Sequence, residues 1–137
     1  IDDITVPPKT LGEFLPKLQY ILRMYKKIVY TIVGHVGDGN FHIIPLMNLK
    51  KEENRALIVP LMEQVHKLVF QYGGSMTAEH NDGIIPIPFL EDMFGKEVVE
   101  LFLQTKHIFD SQYIFNPGKK IGGDIDFALT HLSLQNR

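Results

Sequence analysis

Cysteine and tryptophan are both absent from this chain of 137 residues. Without cysteine the chain holds no disulfide staple, no thiolate-bound zinc and no iron–sulfur cluster of its own, so any metal must be held by His, Asp or Glu. A dominant charge is lacking too. Lys plus Arg number 14 and Asp plus Glu 16, for a formal net charge of -2. That balance leaves no basic footprint for nucleic acid and no polybasic membrane anchor. No apolar run reaches the roughly 18 residues that span a bilayer, and no secretory signal pattern is visible. Arginine is scarce: Arg23, Arg55 and Arg137 are the whole set, on predicted helices or in the tail. Gly34, Gly37 and Gly39 are not followed by a helix, so they make no phosphate cradle. Ser75, Ser111 and Ser133 sit in no nucleophile elbow. What is present is ordinary globular composition, 45% hydrophobic and 22% charged, at the size of one domain with one core. The first residue is Ile1, and the expectation is a piece of something longer.

Periodicity places the elements. Val6-Pro7-Pro8 reads as extended. Leu11, Phe14, Leu15, Leu18, Ile21, Leu22 and Tyr25 recur at three- and four-residue spacing, which predicts an amphipathic helix over about 9–26. Ile28 to Val33 is β-branched and aromatic, a strand, and Phe41 to Met47 is a second. Pro45 places the end of that second strand at an edge or a bulge. A second helix is expected over 50–72, kinked or restarted at Pro60 and closed by Gly73-Gly74. Ser75 to Ala78 reads as short and extended, Glu79 to Gly83 as a polar turn, and Ile84 to Phe89 as irregular because of Pro86 and Pro88. A helical turn at 91–94, a helix over 96–109, a turn at Asn116-Pro117-Gly118-Lys119 and a short helix over 125–134 complete the chain. The order predicts an α+β fold, an antiparallel sheet with helices packed on one face.

The hairpin carries the sharpest chemical signal. Asp38-Gly39 between two strand-like runs predicts a two-residue turn. That register sets His35 opposite His42 on one sheet face, with Cβ atoms about 4.5–5.5 Å apart, within reach of a single ion. A three-residue loop would alter the register. On residues alone the pair is open between metal binding and a stacked or core pair. Glu79-His80, flanked by glycines, could add a third ligand and a base, or could be a solvated loop. His66, His107 and His131 are expected on helix surfaces.

Three segments together resemble a known family. Gly34-His35-Val36-Gly37-Asp38-Gly39-Asn40-Phe41-His42, the stretch from Gly73-Gly74-Ser75 to Glu79-His80, and Phe115-Asn116-Pro117-Gly118-Lys119 look like signatures of the C-terminal domain of FAD-linked oxidases. These are the D-lactate dehydrogenases, D-2-hydroxyglutarate dehydrogenases and the glycolate oxidase flavin subunit. The motifs come in that family's order over about residues 28–124. The resemblance implies a flavoenzyme of the vanillyl-alcohol-oxidase type, of which residues 1–137 would be a single domain, the C-terminal cap, with a ferredoxin-like half. A separate N-terminal domain, absent from this chain, would hold the FAD. Carried over by position, His35, His42 and Glu79 match metal ligands, His80 matches the catalytic base, and Asn116 lies in the motif that approaches the flavin. The implied ion is zinc, manganese or iron. The implied reaction is oxidation of a D-lactate-like or glycolate-like 2-hydroxy acid to the 2-oxo acid. Implied partners are the FAD domain, the substrate, and an iron–sulfur segment or electron-acceptor protein, since Phe89 to Gly95 and the tail look most like the large members. The implied location is cytoplasmic, or peripheral to the membrane through the full-length enzyme. The isolated domain is expected to show no turnover and weak or no FAD binding.

The chain departs from the pattern in places. Asn81 stands where the family has Gly after the Glu-His pair, which puts the aim of His80 in question. Asp110-Ser111 replaces Asp-Pro. Ile44 replaces a polar substrate-contacting residue, and no arginine lies near the motifs to clamp a carboxylate. Two other readings stay open: a metal-binding or assembly module without catalysis, and an interaction domain whose histidines are structural.

Overall fold

A computed structural model describes Ile1 and residues 3–132. The chain divides into two compact units, Ile1–Asn81 and Asp82–Leu132.

In the first unit a short strand, β1 (Ile4–Thr5), leads through a 3₁₀ turn at Pro8–Thr10 into α1 (Leu11–Met24). Strands β2 (Val29–Val33) and β3 (Asn40–Leu46) follow, then α2 (Glu52–Arg55) and α3 (Ile58–Gln71). The sheet is antiparallel in the order β1-β3-β2. One of its faces is covered. Phe41 and Ile43 of β3 pack with Phe14, Leu18 and Leu22 of α1 and with Leu61, Val65, Leu68 and Val69 of α3. Each side chain buried this way contributes about 1.5–3 kcal/mol, so the helix layer rather than the short ladders holds the unit together. The α+β reading with helices on one sheet face describes this arrangement.

Strand alternation sends the other residues to the opposite face. Val29, Thr31 and Val33 are exposed there, and the register sets Val33 opposite His42 and Thr31 opposite Ile44. This corrects the expected hairpin. The connection is not a two-residue turn. β2 stops at Val33, and a 3₁₀ turn at Val36–Asp38 fills the loop, so His35 is not the strand partner of His42. On its other edge β3 is held by β1, where Asn40 and Phe41 pair with Thr5 and Ile4. Gly39 lets the loop approach that strand. Its φ is +71°, and a Cβ there would meet the Val6 carbonyl oxygen at 1.9 Å.

The third strand is therefore β1, not 75–78. Of the latter stretch Ser75 alone bridges, to Thr5. Beyond Phe41, β3 has no β1 partner, which leaves Pro45 where the ladder has a neighbour strand on one side. The second predicted helix restarts as expected. α2 ends at Arg55 and α3 begins at Ile58, so Pro60 falls in a first turn whose N–H groups have no intrahelical acceptor. At the other end, Gly73 N–H donates to Phe70 and Gly74 N–H to Val69, each at 3.0 Å, with Gly73 at φ +67°. That is the Schellman pattern. His66 of α3 is not on the surface but buried, 3% exposed. Burial pushes its imidazole down from 6.5 to about 4, with the α-amino group of Ile1 adding to the effect. The expected surface positions hold for His107 and His131.

The second unit is helical. A 3₁₀ turn at Ile87–Phe89 leads into α4 (Leu90–Phe94), Gly95 separates it from α5 (Lys96–Phe109), and α6 (Ile125–Thr130) follows. Asp124 caps α6 by accepting the Phe127 N–H at 2.7 Å. The predicted helix over 125–134 is shorter: His131 and Leu132 are a turn and a bend, and residues 133–134 lie outside the described residues. Asp110 holds the segment after α5. It pairs with Lys106 and accepts the N–H groups of Ile114 and Phe115, both at 2.9 Å. Lys106, with those two amides, keeps its carboxyl below the usual range. The Asn116–Lys119 turn forms, with Lys119 N–H donating to the Asn116 carbonyl at 3.1 Å. Among the described residues no helix is long and apolar enough to cross a membrane.

Candidate metal centre

The open face of the sheet carries the chemistry. Three segments of the first unit meet there: the residue before β1, the β2–β3 loop with the start of β3, and the stretch after α3.

His42 comes from β3 and is fixed by strand geometry. It is 8% exposed. His35 comes from the loop. Its carbonyl accepts the N–H groups of Asp38 at 2.9 Å and Asn40 at 3.3 Å, which anchors the backbone and leaves the ring free to project. The two rings still meet, edge to face, with centroids 6.2 Å apart. Loop curvature, not cross-strand pairing, brings them together.

Glu79 and His80 reach the same place from α3. After the Schellman cap, Ser75 exchanges two backbone hydrogen bonds with Thr5 at 2.8 and 2.9 Å. The chain then turns around Asp3. Asn81 closes the turn at φ +66°. Asn is one of the few non-glycine residues that adopt this conformation readily, so the substitution for Gly keeps the turn rather than redirecting His80.

The result is a carboxylate ringed by imidazoles. Oε1 of Glu79 lies 3.0 Å from Nε2 of His42 and 3.0 Å from Nε2 of His80. Oε2 lies 3.5 Å from Nε2 of His35. The His42 and His80 rings stack at 4.7 Å, 7° from parallel. Two donors on one tetrahedral ion, each bonded at about 2.0–2.1 Å, stand about 3.4 Å apart. His42, Glu79 and His80 thus fit a borderline divalent ion in chemistry and in spacing, with His35 at the edge of the group.

Sequence reasoning missed one member. Asp3 is 2% exposed, and donor atoms of Asp3, His42, Glu79 and His80 all lie within 4.8 Å of one another. Burial would raise the Asp3 carboxyl. The N–H groups of Ala78, His80 and Glu79 and the Asn40 amide together outweigh burial and hold it below the ordinary carboxylate range. An Asp at a polar chain start forms no motif. The one signal was the apolar Ile4-Thr5-Val6 run behind it, which marks a strand and hence a fixed position.

The structure thus brings His35, His42, Glu79 and His80 together. Asn116 belongs to the second unit. It sits at φ +46° and, with Phe102, Phe115, Lys119 and Lys120, lines a groove of about 500 Å³.

Comparison with known proteins meets this geometry from another direction. The glycolate oxidase subunit GlcD of Bacillus subtilis is 27% identical over 124 residues, 90% of this chain and 26% of that protein. A D-2-hydroxyglutarate dehydrogenase of Xanthomonas citri is 32% identical over 125 residues, 86% of this chain and 26% of that protein. A D-lactate dehydrogenase of Archaeoglobus fulgidus is 32% identical over 119 residues, 87% and 26% respectively. The chain spans about a quarter of the length of each of these relatives. The family described as FAD linked oxidases, C-terminal domain, matches residues 1–120, a range that takes in Asp3, both hairpin histidines, the Glu79-His80 pair and Asn116. By that match the chain belongs to the FAD-linked oxidases, as a C-terminal domain of the family.

Proposed function

We propose that this chain is the C-terminal substrate and cap domain of a longer FAD-dependent enzyme that oxidises a 2-hydroxy acid to its 2-oxo acid. The observation that carries the reading is the convergence of three imidazole nitrogens within 3.5 Å of the Glu79 carboxylate. The relatives' names supply the substrate class: lactate, glycolate and hydroxyglutarate are all 2-hydroxy acids.

His35, His42 and Glu79 would hold a divalent ion, zinc, manganese or iron. When bound, such an ion supplies Lewis acidity that lowers the pKa of a coordinated hydroxyl. FAD, held by an N-terminal domain outside this chain, supplies the acceptor for the hydride that leaves C2. The chain's own part is to position and to deprotonate. His42, the most buried of the three rings, suits a fixed ligand. His80 stacks on it with about half of its side chain exposed, so its imidazole can take the substrate's hydroxyl proton. Imidazole, with an ordinary pKa of about 6.5, is suited to that transfer near neutrality. Asn116 serves the flavin side. The partners are the FAD domain, the hydroxy acid, and an iron–sulfur segment or acceptor protein that takes the electrons onward. The location is cytoplasmic, or peripheral to the membrane through the whole enzyme.

Two variants of the full-length enzyme test the assignment. His42→Ala should strip the metal and the activity together. His80→Ala should keep the metal and lower kcat by about 10²–10⁴-fold on D-lactate or glycolate. Unchanged turnover in His80→Ala would remove His80 as the base, and a metal-free active wild type would remove the ion.

A further inference from the structure

We propose that Asp3 is a positioning residue of this site: its buried carboxylate fixes the backbone of residues 78–80 and so aims Glu79 and His80 at His42. The inference rests on the reading of Glu79 as a metal ligand and adds to it the part that sets the ligand's direction.

Both oxygens of Asp3 are occupied by the chain itself. Oδ2 accepts the N–H of Ala78 at 2.7 Å, of His80 at 2.8 Å and of Glu79 at 2.9 Å. The Thr77 hydroxyl stands at 3.4 Å. Oδ1 accepts the Glu79 N–H at 3.1 Å and the Asn40 side-chain amide at 3.1 Å. Three consecutive amides turned toward one carboxylate form a backbone nest, an anion-binding concavity. Here the anion is the chain's own side chain. An ionised carboxylate offers about four lone-pair sites, and those of Asp3 are filled. To serve as a further ligand it would have to give up the hydrogen bonds of these three amides, so proximity to the donor cluster does not make it one.

Placement gives this nest its consequence. Asn40 opens β3, two residues before His42, and its amide also donates to the Ile4 carbonyl at 3.2 Å. Asp3 therefore ties the strand that carries His42 to the turn that carries Glu79 and His80. Partners one step outside a metal's ligands commonly tune affinity by 10–100-fold.

The test uses the whole 137-residue chain, with Co²⁺ as probe, followed by its visible absorption, and amide hydrogen exchange as a second reading. Asp3→Asn, which replaces an acceptor by a donor facing three N–H groups, should weaken Co²⁺ binding 10–100-fold and speed exchange at 78–80 at least tenfold. The band positions at saturation should not change. Asp3→Glu should recover part of both. Asp38→Asn, an exposed aspartate in the hairpin loop, controls for lost charge and should leave affinity within twofold. Should Asp3→Asn fail to fold, Asp3→Glu and Asn40→Ser carry the same expectation at smaller size. Unchanged affinity, unchanged exchange at 78–80, or shifted bands at saturation, which would mark Asp3 as a ligand, each overturns the proposal. If the wild type binds no Co²⁺ while His42→Ala behaves identically, the metal reading fails. The exchange rates at 78–80 in Asp3→Asn then decide the anchor alone.

Discussion

The two sides of the sheet in the first unit bury histidine on opposite terms. On the helix-covered side, His66 is buried beside Phe70, and burial, with the α-amino group of Ile1, drives its imidazole toward the neutral form. On the open side, His42 is nearly as buried but faces the Glu79 carboxylate and two further imidazoles. One side spends its residues on packing, the other on polar groups held by their neighbours. Stability and binding should therefore be separable by mutation, because distant sites with no shared partner respond almost independently.

The largest expected effect comes from the covered side. Phe14 is fully buried and touches Phe41 and Tyr72, with ring centroids at 6.3 and 5.7 Å. Phe14→Ala should cost about 3–5 kcal/mol in urea unfolding, with Co²⁺ affinity of the folded fraction unchanged. Lost affinity in that fraction would break the separation. His66 gives the next effect, through pH. Its folded-state value, about 4, lies below the unfolded 6.5, so the unfolded chain binds the extra proton between them. The stabilisation is fully present above pH 6.5 and is lost as pH falls toward 4. It amounts to about 3 kcal/mol. Subtracting the unfolding curves of His66→Leu from those of the wild type across that window should isolate it, and a flat difference would refute it. The smallest effect belongs to the open side. Asn81→Ala should cost about 1 kcal/mol because alanine resists positive φ, whereas Asn81→Gly should fall within a few tenths. Thermal melts of the pair decide, and an equal loss in both would show that the Asn side chain rather than its backbone matters.

What the sequence made legible follows the range of the interaction concerned. Helices written in local periodicity came through: 96–109 was expected and is observed, and the Gly73-Gly74 stop is a Schellman cap. The hairpin was legible and its register was not, because its loop is tied to a distant segment: the Gly39 carbonyl accepts the Val6 N–H at 3.0 Å, and the Asn40 amide donates to Ile4, 36 residues away. His35 and His42 meet all the same, by the loop's path. His66 was misplaced on the surface although it stands four residues from Met62 and from Phe70, an apolar i, i+4 row. Glu79 and His80 were legible through their glycine-flanked setting and the family resemblance. Asp3 was not, since the strand-like run behind it says nothing of partners that arrive at residues 77–80.

That last separation has a consequence for synthesis. The hydrogen bond from the His80 amide to Asp3 joins residues 77 positions apart, while both hairpin histidines emerge within the first third of the chain. A ribosome-bound intermediate therefore displays two imidazoles long before the acid and base that complete the cluster are aimed. Long-range closure of this kind comes late in folding. Completion of the cluster therefore coincides with the first unit closing on itself.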